Sequence, residues 1–277
     1  MKENKFENSM RYISIIILSL LMAFPFMWML LSSIKTKEEL WQFPPGFWPA
    51  IPQYHTFLEA WQSAPFGLYM FNSTFTALLI VLIQIINSAL MAYAFTVLKF
   101  KGKKILFAII MGTYMLPAAV TYVPSYITLS NMNMIDTYRG LIISNMVSVF
   151  GIFLIRQSFM QVRNEMVEAA QIDGAGHFRI LVQIMMPICK SSFITLGLIS
   201  FVGNYNNYLW PSLITKNPNL YMVTQGLRQF FIQGGAYGIK WPQVMAASSF
   251  TVLPLILIFF VCQKWFMKSI GDTGVKG

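Results

Sequence analysis

Glu165, Glu168 and Asp173 stand close together in the stretch EMVEAAQIDGAGHF, residues 165–178. On a helix, residues three or four apart share a side, so Glu165, Glu168 and Ala169 would lie together. No nucleophile and base pair accompanies them. What such carboxylates can do is accept the planar fork of an arginine on another protein. Ala169 and Ala170 are small enough for a second backbone to come near. The Asp173–Gly174 pair stops a helix, because Gly tolerates the left-handed conformation needed there. Gly176 can cap a second helix running from Phe178. The segment therefore reads as a short helix, a tight turn through Ala175, and a second helix. A solvated amphipathic loop and a docking helix both satisfy these residues.

The elements around it are of another kind. Of 277 residues, 56% are hydrophobic and only 11% charged, against about 25% charged in soluble domains. A spanning helix needs about 20 apolar residues. Six runs qualify: Tyr12–Ile34, Phe71–Leu98, Ile105–Ile127, Leu141–Met160, Ile184–Ile214 and Val244–Phe266. The expected fold is an all-α, polytopic membrane protein with six transmembrane helices. Its divisions would be an N-terminal helix with an extracellular aromatic and Pro-rich loop (1–70), a core of five helices (71–266) and a short tail (267–277). With the N-terminus inside, thirteen of the twenty Lys and Arg residues fall on inner segments and six on outer ones, with Lys190 at the inner start of the fifth run. The positive-inside rule then makes both termini cytoplasmic. The net charge of +10 comes from these gaps. No basic stripe with interleaved aromatics suggests nucleic acid. Cys189 and Cys262 sit in apolar runs and are expected to be buried small hydrophobes.

Absences narrow the chemistry. None of the six runs contains Asp or Glu, whereas proton-driven carriers place carboxylates there as relays. A gradient-driven carrier using sodium held by carbonyls stays open. No phosphate-binding G-x-x-x-x-G-K-[ST] loop and no H-E-x-x-H or G-x-S-x-G set is present. The chain is expected to be non-catalytic, with no metal or cofactor of its own.

Within the runs, Pro117, Pro124, Pro187 and Pro254 each remove a helix hydrogen bond. Working hinges and static kinks both fit them. Asn204, Asn206, Asn207 and Tyr208 late in the fifth run, and Asn87 in the second, either glue helices together or line a path.

The stretch EAAQIDGA, followed by Phe178, Ile184 and Pro187, resembles the signature of binding-protein-dependent ABC importer permeases. FGLYMFNS, MIDTYRGLI, NYNNYLWPSLIT, KWPQVMAA and the terminal TGVKG are similar, in the same order, to the carbohydrate branch related to the smaller maltose-type permease subunit. The resemblance implies that residues at about 163–176, with Phe178, form a coupling helix between spans four and five that docks into an ATPase subunit. It implies a pseudo-symmetric heterodimer with a second permease subunit, two ATPase subunits carrying ATP and Mg, and an extracellular solute-binding protein, all at a bacterial inner membrane. The cargo would be a sugar or oligosaccharide, with glycerol-3-phosphate or a related polyol ester as the alternative. Three positions depart from the family pattern: Arg163 and Lys190 where proline is usual, and Gly176 where Ser or Thr is common.

Overall fold

The computed structural model describes residues 5–233 and 238–274, with side chains for 8–232 and 238–264. Lys2, Lys276 and the end of TGVKG lie outside them. The described residues are helical, with no strand. In chain order they form α1 (Lys5–Ser33), α2 (Lys37–Trp41), α3 (His55–Gln62), α4 (Phe66–Thr96), α5 (Lys103–Tyr114), α6 (Ala118–Asn131), α7 (Tyr138–Ile143), α8 (Val149–Phe159) and α9 (Asn164–Ile172). Then come α10 (His177–Ile180), a π-helical turn (Leu181–Met185), α11 (Met186–Ile188), α12 (Lys190–Tyr205), α13 (Leu209–Ile214), α14 (Val223–Gln233), α15 (Trp241–Thr251) and α16 (Leu253–Gly274).

Three helical stretches are long and apolar enough to cross a membrane: Asn8–Ser33, Phe66–Thr96 and Trp241–Lys264, the last made of α15 and α16. Two more candidates are bent pairs. The α5 and α6 helices meet at 100°, and His177–Ile188 meets α12 at 81°. The fourth apolar run is divided into α7 and α8 by an unwound stretch, 144–148. Both halves are deliberately capped. Thr137 accepts from Gly140 N–H at 3.1 Å, and Ser148 accepts from Gly151 N–H at 3.0 Å. Side-chain caps of this kind satisfy the orphan donors of a helix start. Hydropathy averaged over the whole run hides the division, because the polar Ser144, Asn145 and Ser148 are outweighed by the apolar residues on either side.

The chain separates into two compact units, the first comprising Met1–Phe66 and Gly226–Leu253. Here α1 and α3 pack on α15. Phe250 meets Trp61 and Phe66 edge-on at 5.2 and 5.1 Å, and Phe66 stacks on Phe230 at 5.8 Å. Lys35 is buried, its ammonium donating to Gly46 O and lying 4.5 Å from the Trp28 ring. Thr36 and Glu39 form a reciprocal capping box on α2, and the other Glu39 oxygen accepts from Ala50 N–H at 2.7 Å. Hydrogen bonds from the Thr36 and Ala50 amides hold the Glu39 carboxyl below its ordinary value of 4.5. A depressed carboxyl contributes stability that is present above its unfolded pKa and lost as pH falls through its folded one. The Thr36 and Ala50 amides should therefore exchange slowly with deuterium at pH 7 and lose that protection only as pH falls through the lowered Glu39 value, beneath the ordinary 4.5, relative to intrinsic rates. Protection that is unchanged at low pH would contradict this account of the loop.

The second unit comprises Gly67–Gln225 and Pro254–Gly277. Its largest core joins Ala89, Tyr93, Ile155, Phe159, Ile180 and Leu196, drawn from α4, α8, α10 and α12. Gly151 allows a close approach of α8 to α4 and α12. A Cβ there would lie 2.5 Å from Ser88 Oγ and 2.9 Å from Leu196 Cδ1. A second cluster gathers Leu129, Leu141, Trp210, Ile214 and Met222. Asn72, fully buried, links three segments. Its amide donates to Asn219 O at 2.9 Å and Tyr221 O at 3.0 Å, and its oxygen accepts from Tyr138 O–H at 2.6 Å. Asp136 accepts from the Lys216 and Asn217 amides, both at 2.9 Å. Both hubs come from the stretches FGLYMFNS and MIDTYRGLI, so at Asn72 and Asp136 these motifs act by fastening loops.

Candidate functional site

The α9 helix occupies the segment expected from sequence. Arg163 precedes it in an extended conformation without a side-chain cap, and Glu165 lies in its first turn, where a negative charge suits the helix dipole. Its end is a Schellman motif. Gly174 adopts φ +78°, Gly174 N–H donates to Gln171 O at 3.1 Å, and Ala175 N–H donates to Ala170 O at 2.9 Å. Gly176 then leads into α10 at His177. The turn is fixed by local chemistry and needs no partner to form.

The faces of α9 divide sharply. Val167 and Ala170 are buried in the large core, with Ala175 packed beside them. Ala170 is thus turned into its own chain, and of the two alanines expected to meet a partner only Ala169 is exposed. Glu165, Glu168 and Asp173 are exposed with it. Ile172 is 87% exposed and Phe178 73% exposed. Sequence reading picked out Phe178 and missed Ile172, because an isoleucine inside an amphipathic pattern is read as core. His177 Nδ1 and the Tyr93 hydroxyl share a hydrogen bond of 2.9 Å. The segment is therefore tied to α4 by that bond and by the core, while its outer face carries carboxylates and bare apolar groups.

Three of the four prolines named from sequence sit at helix breaks. Pro117 precedes α6 at the 100° bend, Pro187 lies in α11 just before the 81° bend, and Pro254 is the second residue of α16 after the break at Val252. Pro124, by contrast, is inside α6.

The polar residues fall into different places. Asn204 donates to Ser200 O in its own helix at 2.8 Å. Asn206 ends α12, and Tyr208 precedes α13, half-buried. Asn87 donates to Met146 O at 3.0 Å, and Gln84 donates to Asn145 O at 2.6 Å. These two amides supply partners for carbonyls freed in the unwound stretch, as a lipid environment demands. Gln84 also accepts from the Ser200 hydroxyl. Asn87 was legible from sequence and Gln84 was not singled out. Its signal was the three-residue spacing from Asn87, which puts both amides on one side of α4. Asn207 lies apart from this pair, beside Trp210, Ser125 and Asn145. Among the described residues, no group of three His, Cys, Asp or Glu side chains could hold a metal ion.

Broken apolar helices of this kind occur in transport proteins, and comparison with known proteins gives the family. Residues 84–272 match the binding-protein-dependent transport system inner membrane component family. The chain is 34% identical over 268 residues to the sn-glycerol-3-phosphate transport system permease protein UgpE of Yersinia enterocolitica, covering 95% of each. It is 31% identical over 277 residues to the protein of that name from Brucella abortus, covering 96% of each. Its fold resembles a chain in the crystal structure of a bacterial ABC transporter involved in the import of the acidic polysaccharide alginate. That likeness has a TM-score of 0.80 at 20% identity, covering 96% of this chain and 98% of that one. A chain of a bacterial alginate ABC transporter in complex with alginate pentasaccharide-bound periplasmic protein matches with a TM-score of 0.66 at 16% identity, covering 94% and 93%. The chain belongs to the family of inner-membrane components of binding-protein-dependent transport systems. It is a non-catalytic permease subunit of an ATP-driven importer in the inner membrane, which sets aside the gradient-driven carrier.

Proposed function

We propose that this chain forms half of the translocation pathway for a sugar or oligosaccharide delivered by an extracellular solute-binding protein. It pairs with a second permease subunit, crosses the membrane six times with both termini inside, and rests on two ATPase subunits that carry ATP and Mg. The divided run α7–α8 serves as the fourth span. Residues 163–176 and Phe178 form the coupling element, with Glu165, Glu168, Ala169, Ile172 and Asp173 facing an ATPase. The observation that carries this reading is the exposed face of α9, seated on a buried core by Val167 and Ala170.

ATP can bias the pore only if α9 makes different contacts in the two ATPase states. The physical route inward is short. Displacing α9 loads Val167 and Ala170, whose cluster contains Ile155, Ile180, Leu196 and Ala92 from α8, α10, α12 and α4. Close-packed side chains transmit strain because they do not compress. The breaks at Pro117, Pro187 and Pro254 are the natural places for the spans to bend.

Glycerol-3-phosphate is a second reading, favoured by the name of relatives that are 34% and 31% identical. Thermal-shift screening of the cognate binding protein against sugars and glycerol phosphates separates the two. A sugar should raise its unfolding midpoint. A rise with sn-glycerol-3-phosphate alone would transfer the proposal to the phosphate ester.

A further inference from the structure

We propose that a cavity of about 290 Å³ in the second unit is a subsite for an uncharged sugar ring of the cargo. Tyr122, Ser125, Asn145, Asn207 and Trp210 line it. This rests on the permease reading above, and it decides between the two cargo classes left there.

Location is the first argument. Three helix breaks meet at the cavity: the bend at Pro117, the unwound stretch 144–148, and the break between α12 and α13. Asn145 is tied through its carbonyl to Gln84, near the middle of α4, which sets the cavity at mid-span. Irregular backbone at that depth is tolerated only inside protein or beside a water-filled cavity. Discontinuous helices at mid-membrane are where transporters hold cargo.

The hydrogen-bonding inventory is the second. Several lining groups are already engaged. Thr121 O–H donates to Ala118 O at 2.8 Å, Trp210 N–H to Ser144 Oγ at 2.8 Å, and Ser144 O–H to Gly140 O at 2.7 Å. The Asn145 amide nitrogen donates to Leu141 O at 2.9 Å. Three groups remain without a protein partner among the described residues: the Ser125 hydroxyl, the Asn207 side-chain amide and Asn145 Oδ1. Together they offer both donors and acceptors, which is what a hydroxyl requires. Tyr122, stacked on Trp210 at 5.4 Å and 26°, adds a half-buried aromatic ring for the C–H face of a sugar.

Charge is the third. No Lys, Arg, His, Asp or Glu lines the cavity. A phosphate or carboxylate entering it would lose its hydration without a counter-charge. The lining therefore selects a neutral polyhydroxyl group over a glycerol phosphate. The volume is close to the lower end of ligand pockets, about 300–1,000 Å³, and suits one small unit of the cargo.

The test uses proteoliposomes carrying the complete transporter: this chain, its partner permease, the ATPase subunits and the binding protein. One arm is offered radiolabelled glucose, maltose and sucrose, the other radiolabelled sn-glycerol-3-phosphate. ATP-dependent uptake is expected in the saccharide arm. Asn207→Ala and Ser125→Ala should each lower the amount of sugar carried per ATP about tenfold, at unchanged levels of assembled complex. Asn207→Gln, which keeps both the donor and the acceptor, should stay within about threefold of the parent. Uptake confined to glycerol-3-phosphate, uptake in neither arm, or saccharide uptake indifferent to both alanine variants overturns the subsite. With ATP hydrolysis still stimulated by the binding protein, those outcomes leave the permease reading standing. Uptake by the parent complex that needs no ATP strikes that reading instead.

Discussion

Glu168→Arg should nearly abolish ATP-driven uptake while the chain stays folded in the membrane. Glu168 is exposed on α9, and among the described residues it takes part in no hydrogen bond or ion pair of its own chain. Nothing in the described structure therefore depends on its charge. If the carboxylate meets a basic group on the ATPase, reversal replaces an attraction with a repulsion in a partly dry interface. Losing one partner of such a pair costs about 2–5 kcal/mol. At about 1.4 kcal/mol per tenfold, that is on the order of a hundredfold weaker docking. Two measurements check it together: ATPase co-purifying with the tagged permease, and uptake per mole of inserted chain. Both should collapse for Glu168→Arg, with Glu168→Gln between it and the parent. Normal uptake by the arginine variant would remove α9 from the coupling route.

The helix bearing Glu168 was legible because its boundaries are written locally. Asp173 and Gly174 spell a stop, and the left-handed Gly174 with its two closing hydrogen bonds realises it. The long apolar runs were legible for the same reason that they exist, since spanning lipid demands them. Which face of α9 turns inward was not. Ala169 and Ala170 are chemically identical, and only the position of the core decides between them. The break in the fourth run was also hidden. Its freed carbonyls at Asn145 and Met146 are satisfied from α4, so beyond the polar Ser144, Asn145 and Ser148 the signal for unwinding stood more than fifty residues away, at Gln84 and Asn87. Asn87 was readable as polar within an apolar run, and glue or pathway fitted it equally until its partner was known. The cavity lay further out of reach. It exists only where three breaks converge, and of its lining residues only Asn207 had stood out as polar.

Asn72→Leu should have the opposite signature, losing the protein itself. The substitution keeps the branched shape and adds the bulk of two methyl groups, so no cavity confuses the result and some overpacking adds to it. It removes one acceptor and two donated hydrogen bonds from a site with no exposed surface. The Asn219 and Tyr221 carbonyls and the Tyr138 hydroxyl are left facing a hydrocarbon side chain. A polar group orphaned away from water costs about 1–3 kcal/mol. Asn219 is exposed and Tyr221 and Tyr138 are half-buried, so water takes back part of that cost, and the loss should be about 3 kcal/mol, at the upper end of ordinary single substitutions. A graded series makes the origin visible. Tyr138→Phe deletes one bond and leaves Asn72 Oδ1 unpaired. Asn72→Asp keeps the acceptor for Tyr138 but turns both donated bonds into repulsive contacts with carbonyls. The unfolding midpoint of the detergent-solubilised protein should fall least for Tyr138→Phe, with both Asn72 variants well below it. The amount of monodisperse protein should fall in the same order, and uptake should follow that amount instead of dropping ahead of it. An Asn72→Leu midpoint equal to that of the parent would mean that this hub does not hold the loops at 138 and 217–221 in place.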